Sequence, residues 1–151
     1  STNFSWKGLG VNADFSFIGN RYIFLNERYY TMNPQTLLFK TNFETKMLDI
    51  WTHPGQETDI PKYGTPFYHD TSRFSHAAFL RLKNLSISYS LPSSLLKKTK
   101  VLSGVKFYVT GRNLFTVTKF EGYDPEVGYA NATSGMYPNS RQIVGGFEIV
   151  F

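Results

Sequence analysis

The sequence predicts an all-β chain of antiparallel strands, on three observations. Four separated segments alternate apolar and polar residues with a period of two. Gly, Pro and Asn crowd the intervals between them. The chain also closes on an alternating apolar segment, IVGGFEIVF, at residues 143–151. Period-two alternation places one stripe of side chains on each face of a strand, which is the main sequence signal for β structure.

The first strand is expected over about 7–18, where Leu9, Val11, Ala13, Phe15 and Phe17 oppose Gly8, Gly10, Asn12, Asp14 and Ser16. The second covers 79–90, with Leu85, Ile87 and Tyr89 against Asn84, Ser86, Ser88 and Ser90. The third covers 105–118, with Val105, Phe107 and Val109 against Lys106, Tyr108, Thr110 and Arg112. The fourth is 143–151 itself. Taken together, the polar side is small and hydroxylic rather than heavily charged, and the apolar side is rich in rings and branched chains.

Such alternation fits two architectures of opposite polarity. A soluble sandwich turns its apolar stripe inward. A barrel in lipid turns it outward around a polar lumen. The connections distinguish them. Residues 91–104 form a short link after Pro92, whereas 119–142 and 19–78 are long. A 60-residue link expected to lack strands is foreign to a compact sandwich, while short links at one end and long loops at the other suit a membrane barrel. Within 19–78, Asn33 followed by Pro34 marks the start of a helical turn or two.

Composition narrows the function. Aromatic residues make up 17% and charged residues 18% of the chain, and there is no cysteine, which excludes disulfide and thiolate chemistry in this segment. The net charge of +5 is carried by scattered residues and the Lys97, Lys98, Lys100 cluster, with no interleaved aromatic platform, so nucleic acid is not an expected partner. No apolar run is long enough for a membrane helix. His53, His69 and His76, with Asp59 and Asp70, lack metal-ligand spacing. Asp124 and Glu126 flank Pro125 and are expected to shape a turn rather than to cleave glycosidic bonds. No nucleophile elbow, P-loop or dinucleotide fingerprint is present, and no catalytic residue, metal ligand or cofactor site is assigned.

The segments FLRLKNLSISYSLP (79–92), VKFYVTGRNLFTVTKFEGYDPEV (105–127) and VGGFEIVF (144–151), preceded by LDIWTHPGQETDIPKY (48–63), resemble in order and spacing the C-terminal end of SusC/RagA-type TonB-dependent receptors of Bacteroidota. The resemblance implies the last four strands of a 22-stranded outer-membrane barrel with two long extracellular loops, the whole of residues 1–151 belonging to it. It implies active import of oligosaccharides or peptides, with a SusD-type surface lipoprotein as lid. The remaining barrel and plug, and TonB acting through an N-terminal region not found in this sequence, are the further partners implied. Phe147, Ile149 and Phe151 then match the terminal signal read by the barrel-assembly machinery and face outer-membrane lipid. With the C-terminus at the periplasmic rim, 91–104 is periplasmic and both long links are extracellular. Trp51, Tyr63, Tyr123, Asp124, Glu126, Tyr129 and Tyr137 are the candidate contacts to ligand or lid, packing of the loops being the competing role. A soluble, lectin-like carbohydrate-binding module is the alternative, and it requires the apolar stripes to meet in one dry centre.

Overall fold

The computed structural model describes residues 1–35, 42–66, 68, 70–98, 101–126, 132, 133 and 135–151. The chain divides into two compact units, one made of 1–20, 78–119 and 138–151, the other of 21–77 and 120–137.

The first unit is one antiparallel sheet of five strands in the order β1-β2-β5-β6-β7. Its strands are β1 (Thr2–Trp6), β2 (Leu9–Ile18), β5 (Phe79–Ser90), β6 (Gly104–Thr118) and β7 (Gln142–Val150). Four agree with the sequence expectation to within two residues. The fifth, β1, was not expected. It is five residues long, too short to display alternation, and the turn that pairs it with β2 lies inside the stretch read as strand. Lys7 and Gly8 both have positive φ, 44° and 88°, and Trp6 pairs with Leu9 around them. A two-residue hairpin loop with both central residues left-handed is the tight turn that matches strand twist. Gly8 is required there twice over, because a Cβ would lie 2.5 Å from the Ser90 carbonyl oxygen.

Register aligns the stripes across all five strands. Trp6, Leu9, Tyr89, Phe107 and Phe147 form one cross-strand row, and Phe4, Val11, Ile87, Val109 and Gly145 form the next. The opposite face carries Asn3, Asn12, Ser86 and Thr110 in one row and Asp14, Asn84 and Arg112 in another. Side chains bond along these rows: Ser86 and Thr110 hydroxyls lie 3.0 Å apart, Asn84 donates to Asp14 at 3.2 Å, and Arg81 donates to the Thr116 hydroxyl at 2.8 Å. A bulge sets Asn113 and Leu114 of β6 against Lys83. Asn113 takes positive φ there and donates to the Ser140 carbonyl at 3.1 Å, holding loop backbone.

The apolar face has no dry centre. Phe15 is 52% exposed, Ile87 46%, Phe107 49% and Phe147 66%. The lectin-like alternative needs these rings buried together, and they are not.

Lys7–Gly8 and the 91–103 link, which contains α2 (Ser93–Leu96), lie at the end of the sheet where β7 finishes. Ser90 N–H donates to the Gly8 carbonyl, Leu91 to Val105 and Ser103 to Val150 there. The long links leave from the opposite end, after Ile18 and Thr118.

The second unit corrects the expectation that 19–78 lacks strands. It contains β3 (Tyr22–Phe24) paired antiparallel with β4 (Phe74–His76), the single turn α1 (Arg28–Thr31) and 3-10 turns at Thr45–Asp49 and Thr71–Arg73. These elements span three to five residues, below the length at which a sequence pattern shows. Its apolar core is Ile23, Leu25, Ala77 and Phe120. Asn33 Oδ1 accepts from Gln35 N–H at 2.9 Å, the bond an N-cap makes ahead of Pro34, and the helical turn expected to follow falls on 36–41, outside the described residues. The 3-10 turn further on is preceded by Glu44.

One detail fixes β7 to the sheet. The Tyr108 ring lies over Gly146, so that a Cβ at Gly146 would sit 2.5 Å from the Tyr108 hydroxyl and 2.6 Å from Cζ. A ring laid on a glycine of its cross-strand partner fills the gap left by the missing side chain. In the full-length receptor, Tyr108→Ala and Gly146→Val are each expected to lower stability by about 1 kcal/mol. Urea titration of the vesicle-inserted protein checks this, and the double variant should lose less than the sum because both changes remove one contact.

Candidate functional site

The second unit holds the charged chemistry. Its backbone is tied by the core already described and by a buried guanidinium: Arg73 donates to the Tyr68 carbonyl and lies 5.1 Å from the Phe24 ring centroid and 5.9 Å from that of Tyr29. Cations over ring faces are attracted by the ring quadrupole, more strongly where water is excluded. Burial draws the Arg73 pKa down from its ordinary value, against Asp70 and Tyr29, which raise it.

Around this anchor, residues far apart in sequence meet. Arg28 on α1 pairs with Glu121, and with Glu44 at 3.7 Å, while Lys46 reaches Glu121 at 3.4 Å. The Thr31 hydroxyl donates to Glu44 at 2.9 Å. The Glu121 carboxyl is held below its ordinary value, first by the hydrogen bond from Arg28 and then by the charges of Arg28 and Lys46, while burial opposes. Arg28, Lys46, Arg73 and Glu121 line a cavity of about 800 Å³ together with Asp49, Glu57 and Asp59. A hollow of that size with opposed charges on its wall suits a ligand that itself carries both signs.

Among the described residues, the candidate contacts do not converge on one hollow, although Tyr123 and Asp124 line a small one with Glu27 and Thr133. Tyr63 lines a smaller apolar hollow of about 360 Å³ with Pro34, Phe43, Met47, Leu48 and Ile50. Trp51 is half-buried, its N–H donating to the Ile60 carbonyl at 3.0 Å in a loop knit by Gln56 and Thr58. Tyr123 and Tyr137 are 79% and 93% exposed. Asp124 is buried and accepts from Glu126 N–H at 2.9 Å, while Arg21 donates to the Pro125 carbonyl at 3.0 Å. Both carboxylate residues therefore sit in a turn, as the sequence implied. Tyr129 lies outside the described residues. The charged cavity was missed because Arg28 and Glu121 are 93 positions apart and no local pattern links them. Glu27 was missed for the same reason: it accepts from the Thr133 hydroxyl and from Gly135 N–H at 2.7 Å, joining the two loop segments of this unit.

No family model matches the chain. Curated proteins and solved structures do. Over 122 residues, 73% of its length, the chain is 36% identical to TonB-dependent receptor P3 of Formosa agariphila, and over 78 residues it is 33% identical to TonB-dependent receptor SusC of Bacteroides thetaiotaomicron. It covers 97% of its own length on the structure of the RagAB peptide importer in the open-open state, at 44% identity and a TM-score of 0.87. The closed-closed state matches with a TM-score of 0.86 and 43% identity. The chain belongs to the SusC/RagA-type TonB-dependent receptors. It spans 12% of the P3 receptor, 8% of SusC and 16% of the matched RagAB chain. As a SusC/RagA-type segment of the outer membrane, its sheet has an apolar face fit for lipid and a polar face fit for a wet barrel interior.

The Glu121 linkage gives a signed pH dependence. A carboxyl with a depressed folded value stabilises above its ordinary value of 4.5 and loses that contribution as pH falls through the folded value. Amide exchange at 44–47 in the full-length receptor, corrected for intrinsic rates, should rise as the pH is lowered below 4.5. In Glu121→Gln it should already be raised at neutral pH and change little on acidification. The expected size is under about 1 kcal/mol, because the pair is half-exposed.

Proposed function

We propose that residues 1–151 form the C-terminal strands of a 22-stranded barrel in a Bacteroidota importer. Its plug and TonB contact lie elsewhere in the receptor, and a SusD-type surface lipoprotein acts as its lid. The reaction is active transport, with no covalent bond broken. The observation that supports this reading most is the exposed apolar face, unbroken across five strands, in a chain 44% identical to a RagAB importer. On this reading β7 ends at the periplasmic rim, Phe147, Ile149 and Phe151 present the assembly signal, and the second unit belongs to the extracellular mouth.

Peptides are the proposed cargo in preference to oligosaccharides. The identity to the RagAB peptide importer exceeds that to SusC. The wall of the 800 Å³ cavity carries Arg28 and Lys46 together with Asp49, Glu57 and Asp59, a pattern complementary to charged termini and side chains. Neutral sugars would make less use of it.

Uptake of labelled oligopeptides by cells expressing the full-length receptor tests the proposal. Deletion of the receptor should abolish uptake, and Asp59→Asn with Lys46→Gln should lower it about tenfold, the worth of one charged hydrogen bond. Uptake of oligosaccharides with no peptide transport would overturn the cargo assignment. A receptor that remains soluble without detergent would overturn transport itself.

A further inference from the structure

We propose that the end of the sheet formed by Lys7, Lys97 and Lys98 binds the phosphates of anionic phospholipids. This rests on the barrel reading above, and it concerns the lipid headgroups at one rim rather than the transported cargo.

Three observations converge on it. The first is charge. No Asp or Glu occurs between Asp70 and Glu121, or before Asp14, so the Lys7 turn and the 91–103 link are free of acidic side chains. At this end Glu148 stands opposite Lys106 in the register of β6 and β7. Lys7, Lys97 and Lys98 lie on the connections, and all three are exposed.

The second is depth. Toward this end the apolar face carries the cross-strand row Trp6, Leu9, Tyr89, Phe107 and Phe147, with the Val105–Ile149 pair of β6 and β7 beyond it. Aromatic rows of this kind sit where hydrocarbon gives way to headgroups. The Lys7 turn, which joins Trp6 to Leu9 at one side of this row, therefore lies at headgroup depth.

The third is direction. The Lys7 Nζ lies 5.1 Å from the Trp6 ring centroid. Trp6 belongs to the apolar face, so its ring holds this ammonium on the side that meets lipid rather than over the polar rows. A cation at that position, with its stem along a ring, is the arrangement by which lysines reach an interface from an apolar surface. A cluster of lysines beside an anionic leaflet gains attraction from each charge, roughly additively and reduced by salt.

The experiment uses the full-length receptor reconstituted in vesicles of phosphatidylethanolamine with phosphatidylglycerol, followed by detergent extraction and native mass spectrometry of retained lipid. The unmodified receptor should retain phosphatidylglycerol above its proportion in the vesicle. Each of Lys7→Gln, Lys97→Gln and Lys98→Gln should lower that enrichment about fivefold, and Lys62→Gln with Lys119→Gln, on the long links, should leave it unchanged. Heat-modifiable migration reports barrel integrity separately, so a barrel that forms without lipid preference defeats this proposal alone, while a failure to form any barrel defeats the reading beneath it. Undiminished enrichment in the triple variant, or equal loss in the long-link variant, overturns the proposal. So does displacement of the lipid by inorganic phosphate, which would make this a site for a soluble anion.

Discussion

The structure depends on one constraint: an extended chain places successive side chains on opposite faces, so a single register decides what every residue touches. Here that register collects rings and branched chains on one side of five strands and mainly hydroxyls, amides and charges on the other, where Tyr108, Val144 and Val150 are the apolar additions. A slip of one residue between β5 and β6 would carry Phe107 and Val109 to the serine side of β5 and bring Thr110 to its apolar side. Each large ring moved out of an apolar environment costs about 1.5–3 kcal/mol, so even a local slip is strongly opposed. The Lys7–Gly8 turn, the Asn113 bulge and the Tyr108 ring over Gly146 are the local devices that hold the register where it is.

That constraint divides the chemistry of the chain. The sheet offers a surface to lipid and a surface to water. The charged cavity proposed for recognition is in the second unit, where short elements are held by a small apolar core and by charged groups from distant parts of the sequence. Loops that carry function on a rigid scaffold are a common arrangement. The cross-links here, Arg28 to Glu121 and Glu27 to Thr133, make two such loops behave as one body.

The long strands were legible in the sequence because each repeats its period enough times to be distinguished from chance: 79–90 was placed to the residue, and 105–118 and 143–151 to within one. β1 was not legible, since Thr2, Phe4 and Trp6 offer only one alternation, and its turn residue Lys7 has no visible preference for a left-handed backbone. The strand pair described in the second unit, β3 with β4, was hidden by its length. Its charged cavity was hidden by sequence separation, because ion pairs between residues 75 and 93 positions apart leave no periodic trace. The loop aromatics were legible as residues suited to recognition, yet their positions are scattered, with Tyr63 in one hollow and Tyr137 in open solvent. Asp124 and Glu126 were read correctly as turn formers because Pro125 restricts the backbone between them.

The division of the sheet into a lipid face and a wet face is measured most directly by site-directed spin labelling of the full-length receptor in bilayers, for which this cysteine-free segment needs no prior removal of thiols. Labels at Val11, Ile87, Val109 and Phe147 should collide with dissolved oxygen and be shielded from a water-soluble nickel chelate. Labels at Asn12, Ser86, Thr110 and Gly146 should show the opposite. Equal accessibility at both sets, or shielding of the first set from both reagents, would contradict the account.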